Sequence, residues 1–110
     1  MIYMGRIDRD KLNQINDIRQ NVNEPTIVSG KVVILKDRVE HIYQRRIVDY
    51  GYTPKDAAHT ISDALFNKKS QVAPSRYSTL QTIESPSANR VILGKIRNGN
   101  NIFVKTGYHR

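Results

Sequence analysis

Cysteine is absent from the 110 residues, which excludes a disulfide-stapled scaffold, a Cys-ligated zinc or iron–sulfur centre, and thiol catalysis. Its absence leaves the compartment open, because a cysteine-free domain folds equally well in the cytosol and outside the cell. Apolar runs are short. None approaches the roughly 20 residues that a helix needs to cross a bilayer, so no membrane anchoring is expected. Arg6, Asp8, Arg9, Asp10 and Lys11 occupy the region where a secretory leader would carry an apolar segment, so no leader is expected. With 3 His and few clustered carboxylates, neither a metal nor another cofactor is expected. Glycine-rich phosphate loops and the GxSxG, HExxH and EF-hand patterns are missing. Phe66 and Phe103 are the only phenylalanines, too few for the aromatic signature of an RRM sheet.

Negative charge is scarce in the second part of the chain. The formal net charge is +8, but residues 1–67 carry only +1 of it. Residues 68–110 set Lys68, Lys69, Arg76, Arg90, Lys95, Arg97, Lys105 and Arg110 against Glu84 alone. Such asymmetry is either a solvated basic surface or the footprint of a polyanion. Nucleic acid fits it best, since each phosphate contacted releases counterions and adds affinity. A membrane surface fits less well, because the basic half does not read as an amphipathic helix.

What is present reads as one α+β domain, with N-terminal helices packed on a C-terminal antiparallel sheet of about four strands. Leu12, Ile15, Ile18 and Val22 recur at helical spacing, and Asp8 or Asp10 can cap that helix. Lys31–Lys36 is a β-branched run, read as a strand. A second helix is expected from Asp37 as N-cap to Asp49, burying Val39, Ile42, Tyr43, Ile47 and Tyr50. Thr53-Pro54-Lys55-Asp56 opens a third, with Ala57, Ala58, Ile61, Ala64 and Leu65 inward and His59 on the surface. Lys68–Arg76 reads as a basic linker. Strands are expected at Tyr77–Glu84, Arg90–Arg97 and Asn101–Thr106, the last two joined at Asn98-Gly99-Asn100, a hairpin signal.

Two groups of residues could carry chemistry. His41 and Arg45 lie one helical turn apart, so an imidazole that exchanges protons near neutrality can sit beside a phosphate-binding guanidinium. Arg38 and Arg46 extend that basic surface. An ordinary solvated helix face is the alternative. The second group is Lys105-Thr106-Gly107-Tyr108-His109-Arg110, which offers cations, a hydroxyl, a phenol and an imidazole. Strand alternation would place Phe103, Lys105, Gly107 and His109 on one side and Ile102, Val104, Thr106 and Tyr108 on the other. A frayed polar tail is the alternative there. Lys95 and Arg97 add charge on the neighbouring strand.

The strand Lys31–Lys36 and the helix opening Arg38-x-x-His41-Ile42-x-x-Arg45 resemble the barnase–EndoU–colicin–RelE-like group of toxin ribonucleases. The likeness is greatest to domains at the C-termini of phage-associated and polymorphic-toxin proteins. The closing Val104-Lys105-Thr106-Gly107-Tyr108 is similar to that family's last strand, where Thr or Ser precedes an aromatic. The chain departs from the pattern at Arg46, where the family often has His. The resemblance covers residues 30–110, leaving residues 1–29 as an N-terminal helical arm. It implies metal-independent RNA cleavage, with His41 and His109 as acid and base. It further implies Arg45, Thr106 and Tyr108 at the catalytic centre, and Arg38, Arg46, Lys95, Arg97 and Lys105 on the phosphates. It implies RNA, tRNA among the candidates, as substrate and an acidic immunity protein as partner. It also implies work in the cytoplasm of a bacterial cell, with delivery as the C-terminal part of a secreted effector as one route. The rival readings are a non-catalytic basic RNA- or DNA-binding module and an interaction protein docking an acidic partner.

Overall fold

The computed structural model describes residues 1–74, 81–94 and 101–110. Among them, six short segments pair into one sheet: β1 (Ile2–Arg6), β2 (Lys31–Ile34), β3 (Gln71–Pro74), β4 (Gln81–Glu84), β5 (Asn89–Leu93) and β6 (Ile102–His109). Their spatial order is β1-β2-β6-β5-β4-β3. The fold is α+β, as expected, but the sheet is larger than about four strands and is mixed. β2 runs parallel to β6 through Val32↔Ile102 and Val33↔Phe103, while every other described neighbour is antiparallel. A parallel pair needs a long crossover. Here the crossover contains both later helices and three strands.

Among the described residues, three α-helices pack on the sheet: α1 (Arg9–Asn21), α2 (Lys36–Ile42) and α3 (Pro54–Phe66). Asp8 caps α1, its side chain accepting from Lys11 N, and Thr53 with Asp56 forms a reciprocal capping box on α3. Ile15 of α1, Ile42 of α2 and Ile61, Ala64 and Leu65 of α3 meet Val32, Val91, Leu93, Ile102 and Val104 in one core. Among the described residues, no helix is long and apolar enough to cross a membrane.

Five local expectations change. The N-terminal arm contributes the edge strand β1 before its helix; Gly5, at φ 126°, lies beside a bulge that breaks the alternation there. The presumed linker contains β3, whose Pro74 is tolerated because β3 is the other edge. The buried stripe of α1 is Lys11, Ile15 and Arg19 rather than the purely apolar one: Lys11 Nζ pairs with Asp8 at 2.8 Å, and Arg19 Nε donates to the Pro25 carbonyl. On α3, Thr60 is buried and Ala58 is exposed, while His59 is on the surface as expected. Finally, β2 ends at Ile34, and Leu35, not Asp37, is the N-cap of α2. The remainder of the second helix, Tyr43–Asp49, is wound as a π-helix. Of the expected apolar stripe only Ile42 is buried and Ile47 half-buried, while Val39 is exposed and Tyr43 and Tyr50 stand 55% and 60% exposed. The start of the expected Tyr77–Glu84 strand, the Asn98-Gly99-Asn100 turn, Lys95 and Arg97 lie outside the described residues.

Candidate active site

β6 outruns β2. The parallel ladder covers only Ile102 and Phe103, so beyond them β6 has β5 on one side and no strand on the other. An uncovered strand edge exposes main-chain donors and acceptors that need partners. The segment following β2 supplies them as side chains. Arg46 Nε donates to the Gly107 carbonyl at 2.8 Å, and the Tyr52 hydroxyl accepts from His109 N at 3.1 Å.

The π-helix governs which arginine does this. Its carbonyls bond five residues onward, where an α-helix bonds four. Arg46, five residues after His41, is half-buried against β6, whereas Arg45 is exposed and pairs with Asp49 at 3.7 Å. The Arg46 guanidinium lies 5.1 Å from the Tyr108 ring centre and 5.4 Å from that of Tyr50. Arg90 approaches Tyr108 too, with its ring centre at 5.9 Å and its hydroxyl accepting from Nη1 at 3.3 Å. Arg90 Nε and Arg110 Nη2 then share Glu84, at 2.8 and 2.7 Å. The result is a continuous ladder from Tyr50 through Arg46, Tyr108 and Arg90 to Glu84. The Arg110 hydrogen bond, with help from Arg90 and against the cost of burial, holds Glu84 below the usual carboxylate range.

His41 precedes Arg46 by five residues on the same continuous helical segment. Burial, then the charges of Arg38, Arg45, Arg46 and Lys105, hold its pKa below the ordinary histidine value. Four of the expected phosphate-binding or catalytic cations therefore act on one imidazole. Among the described residues, Arg46 and Lys105 have no carboxylate partner, whereas Arg38 has Asp37 at 3.7 Å.

Thr106 and His109 are placed differently. The register pairs Leu93 with Val104 but Ile92 with Thr106, so β6 carries one extra residue, Lys105, as a bulge. The bulge reverses the alternation beyond it. Val104 and Gly107 share the core face, and Thr106 and Tyr108 take the other, contrary to the uninterrupted pattern expected from the sequence. Thr106 is 9% exposed, and its hydroxyl is enclosed without a hydrogen-bond partner among the described residues. Its burial sets it apart from the exposed side chains of Lys105 and His109. His109 follows Gly107 to the core face, where Nδ1 meets Asn89 Oδ1 at 3.0 Å. Asn89 Nδ2 in turn donates to Asp63 of α3 at 2.9 Å. The tail is thus an ordered strand to His109, with its two aromatic rings on opposite faces.

Sequence reasoning passed over Tyr50 as a core residue and did not single out Arg90, Asn89, Asp63 or Tyr52. For Arg90 and Tyr108 the link is a cross-strand pairing, which only the register reveals. No protein-family model matches the chain, and neither a curated protein nor a solved structure shows significant similarity to it.

Proposed function

We propose that the protein is a metal-independent, toxin-type endoribonuclease, and that its reaction centres on His41. The observation that carries this reading is the environment of His41: a half-buried imidazole whose pKa is held below the ordinary histidine value, by burial first and then by the charges of Arg38, Arg45, Arg46 and Lys105. A neutral imidazole can take a proton, and the cations can hold the phosphate that it acts beside.

In this mechanism the unprotonated His41 nitrogen accepts the proton of a ribose 2′-OH. The 2′-oxygen then bonds to the adjacent phosphorus as the bond from phosphorus to the 5′-oxygen breaks. The products are a 2′,3′-cyclic phosphate and a 5′-hydroxyl, whose proton the imidazolium can return. The same burial and repulsion that lower the His41 pKa make its imidazolium a ready proton donor. Arg46 and Lys105 stabilise the added charge on the phosphorane-like transition state, with Arg38 and Arg45 flanking them. Tyr108 and Tyr50, braced by guanidinium groups, offer stacking surfaces for bases. Candidate substrates include tRNA, and the basic surface suits an acidic immunity protein as its antagonist. The cytoplasm of a bacterial cell is the corresponding site of action.

A second reading has its own support. The ladder Tyr50–Arg46–Tyr108–Arg90 has the make-up of a single-stranded nucleic-acid platform, and binding needs no proton transfer. Incubating the protein with total tRNA and ribosomal RNA in EDTA separates the two. Fragments ending in 2′,3′-cyclic phosphate, lost in His41→Ala, establish the nuclease. Salt-sensitive retention of RNA without cleavage establishes the binding module. Absence of both leaves the acidic partner protein as the ligand to seek.

A further inference from the structure

The face of β6 opposite Tyr108 carries a three-residue hydrogen-bonded chain whose direction can be derived. Ser85 lies beside the Asp63 carboxylate, which accepts from Asn67 Nδ2 at 3.0 Å and from Asn89 Nδ2 at 2.9 Å. These hydrogen bonds hold its carboxyl below the usual range, so at neutral pH it is ionised and can only accept. The Asn89 amide must therefore turn its NH2 toward Asp63 and its oxygen toward His109. An amide oxygen cannot donate, so the His109 Nδ1 that meets it at 3.0 Å carries the hydrogen. In the neutral ring the lone pair is then on Nε2. Asn89 is 6% exposed and also donates its main-chain N–H to Ser85 Oγ, which leaves its side chain little freedom to turn. The Tyr52 hydroxyl holds the backbone of His109 at 3.1 Å, and the ring itself belongs to an exposed residue.

Such an acceptor stands out chemically on this surface. Arg and Lys only donate, which suits phosphate oxygens. A neutral imidazole with a defined Nε2 lone pair instead suits a hydroxyl. His109 also takes the face of β6 opposite Tyr108, the ring on which Arg46 stacks, so its Nε2 serves a different part of the ligand from the guanidinium ladder. We infer that His109 is a specificity-determining residue which accepts a hydrogen bond from a ribose 2′-OH away from the cleavage position, with Asn89 and Asp63 as its positioning residues. This rests on the ribonuclease reading for its ligand, but the tautomer on which it depends does not.

The test uses the full chain, uniformly labelled with 15N, at about pH 8, where an ordinary imidazole is neutral. Long-range proton–nitrogen correlation spectra should show His109 protonated on Nδ1. In Asn89→Leu the ring should revert to the Nε2–H form that free imidazole favours. Finding Nε2–H in the unaltered chain overturns the inference without any variant having to fold. Binding is measured alongside, with a short single-stranded RNA in which the 2′-OH at the cleavage position is replaced by hydrogen to prevent turnover. Replacing the other 2′-hydroxyls by hydrogen should weaken binding by roughly 2- to 10-fold per hydroxyl contacted, and His109→Ala should abolish that difference. Equal discrimination in His109→Ala overturns the assignment. If the unaltered chain binds neither oligonucleotide, the RNA ligand is overturned together with the ribonuclease reading, and the spectra still judge the Asp63–Asn89–His109 relay.

Discussion

Arg46 Nε donates to the carbonyl of Gly107 at 2.8 Å, joining residues 61 positions apart and closing the strand edge that β2 leaves open. The same guanidinium is placed between the rings of Tyr50 and Tyr108. One side chain thus completes the sheet and presents charge to the site.

Arg46→Lys is therefore expected not to be conservative. A lysine lacks the planar fork needed to stack and to donate at the same time. Loss of the bond to a half-buried carbonyl should cost about 1 kcal/mol, or about 4 °C in Tm for a domain of this size. RNA affinity should fall as well. Thermal unfolding and a binding isotherm check both, and an unchanged Tm would remove Arg46 as the edge cap.

His41→Ala should lower RNA cleavage by roughly 10²–10⁴-fold if His41 transfers the proton. Since the His41 pKa lies below its ordinary value, the acidic limb of kcat/KM should fall below the 6.5 of a free histidine. The sign for stability follows from linkage. The unfolded chain takes up this proton first as pH falls, so the stability held above the unfolded value declines toward the folded one. Lys105→Met removes one of the cations and should move the limb back toward 6.5. An NMR titration of His41 in the two proteins decides this.

Thr106→Val should leave stability unchanged or raise it by about 1 kcal/mol, because the hydroxyl it removes is enclosed and unpartnered among the described residues. On the ribonuclease reading, cleavage should also persist, since the hydroxyl is buried. A drop in Tm would mean that the hydroxyl has a partner after all.

Gly107→Ala tests the packing beneath the site. A Cβ there would lie 2.7 Å from Ile61 Cγ1, closer than side chains approach, so about 1–3 kcal/mol should be lost. Ile61→Ala in the same chain should recover part of that loss, giving a non-additive pair in denaturant titrations. Additive losses would show that the two sites do not touch.

Local chemistry was enough for much of the architecture. Asp8 before an amphipathic run and Thr53-Pro54 with Asp56 name two helix starts from nearest neighbours alone, because a cap is satisfied within a turn. The antiparallel pairing of β5 with β6 was legible for the same reason, and so was the exposure of His59. The edge strands β1 and β3 were not legible. Ile2–Arg6 and Gln71–Pro74 are short and interrupted by Gly5 or closed by Pro74, and become strands only through the neighbour that each pairs with.

The candidate site divides in the same way. Sequence by itself determined that His41, Arg45 and Arg46 share a helix and that charge gathers in the last 43 residues, and it left Tyr108 and His109 as either a continuation of the Asn101–Thr106 strand or a polar tail. Tertiary structure alone decided that Arg46 and not Arg45 reaches that strand, and that Tyr108 joins Arg90 while His109 joins Asn89 and Asp63. The physical reason is that a π-turn and a bulge each insert one residue into a periodic element. Either shifts every later side chain onto another face, and the balance that admits the insertion lies in contacts dozens of residues away.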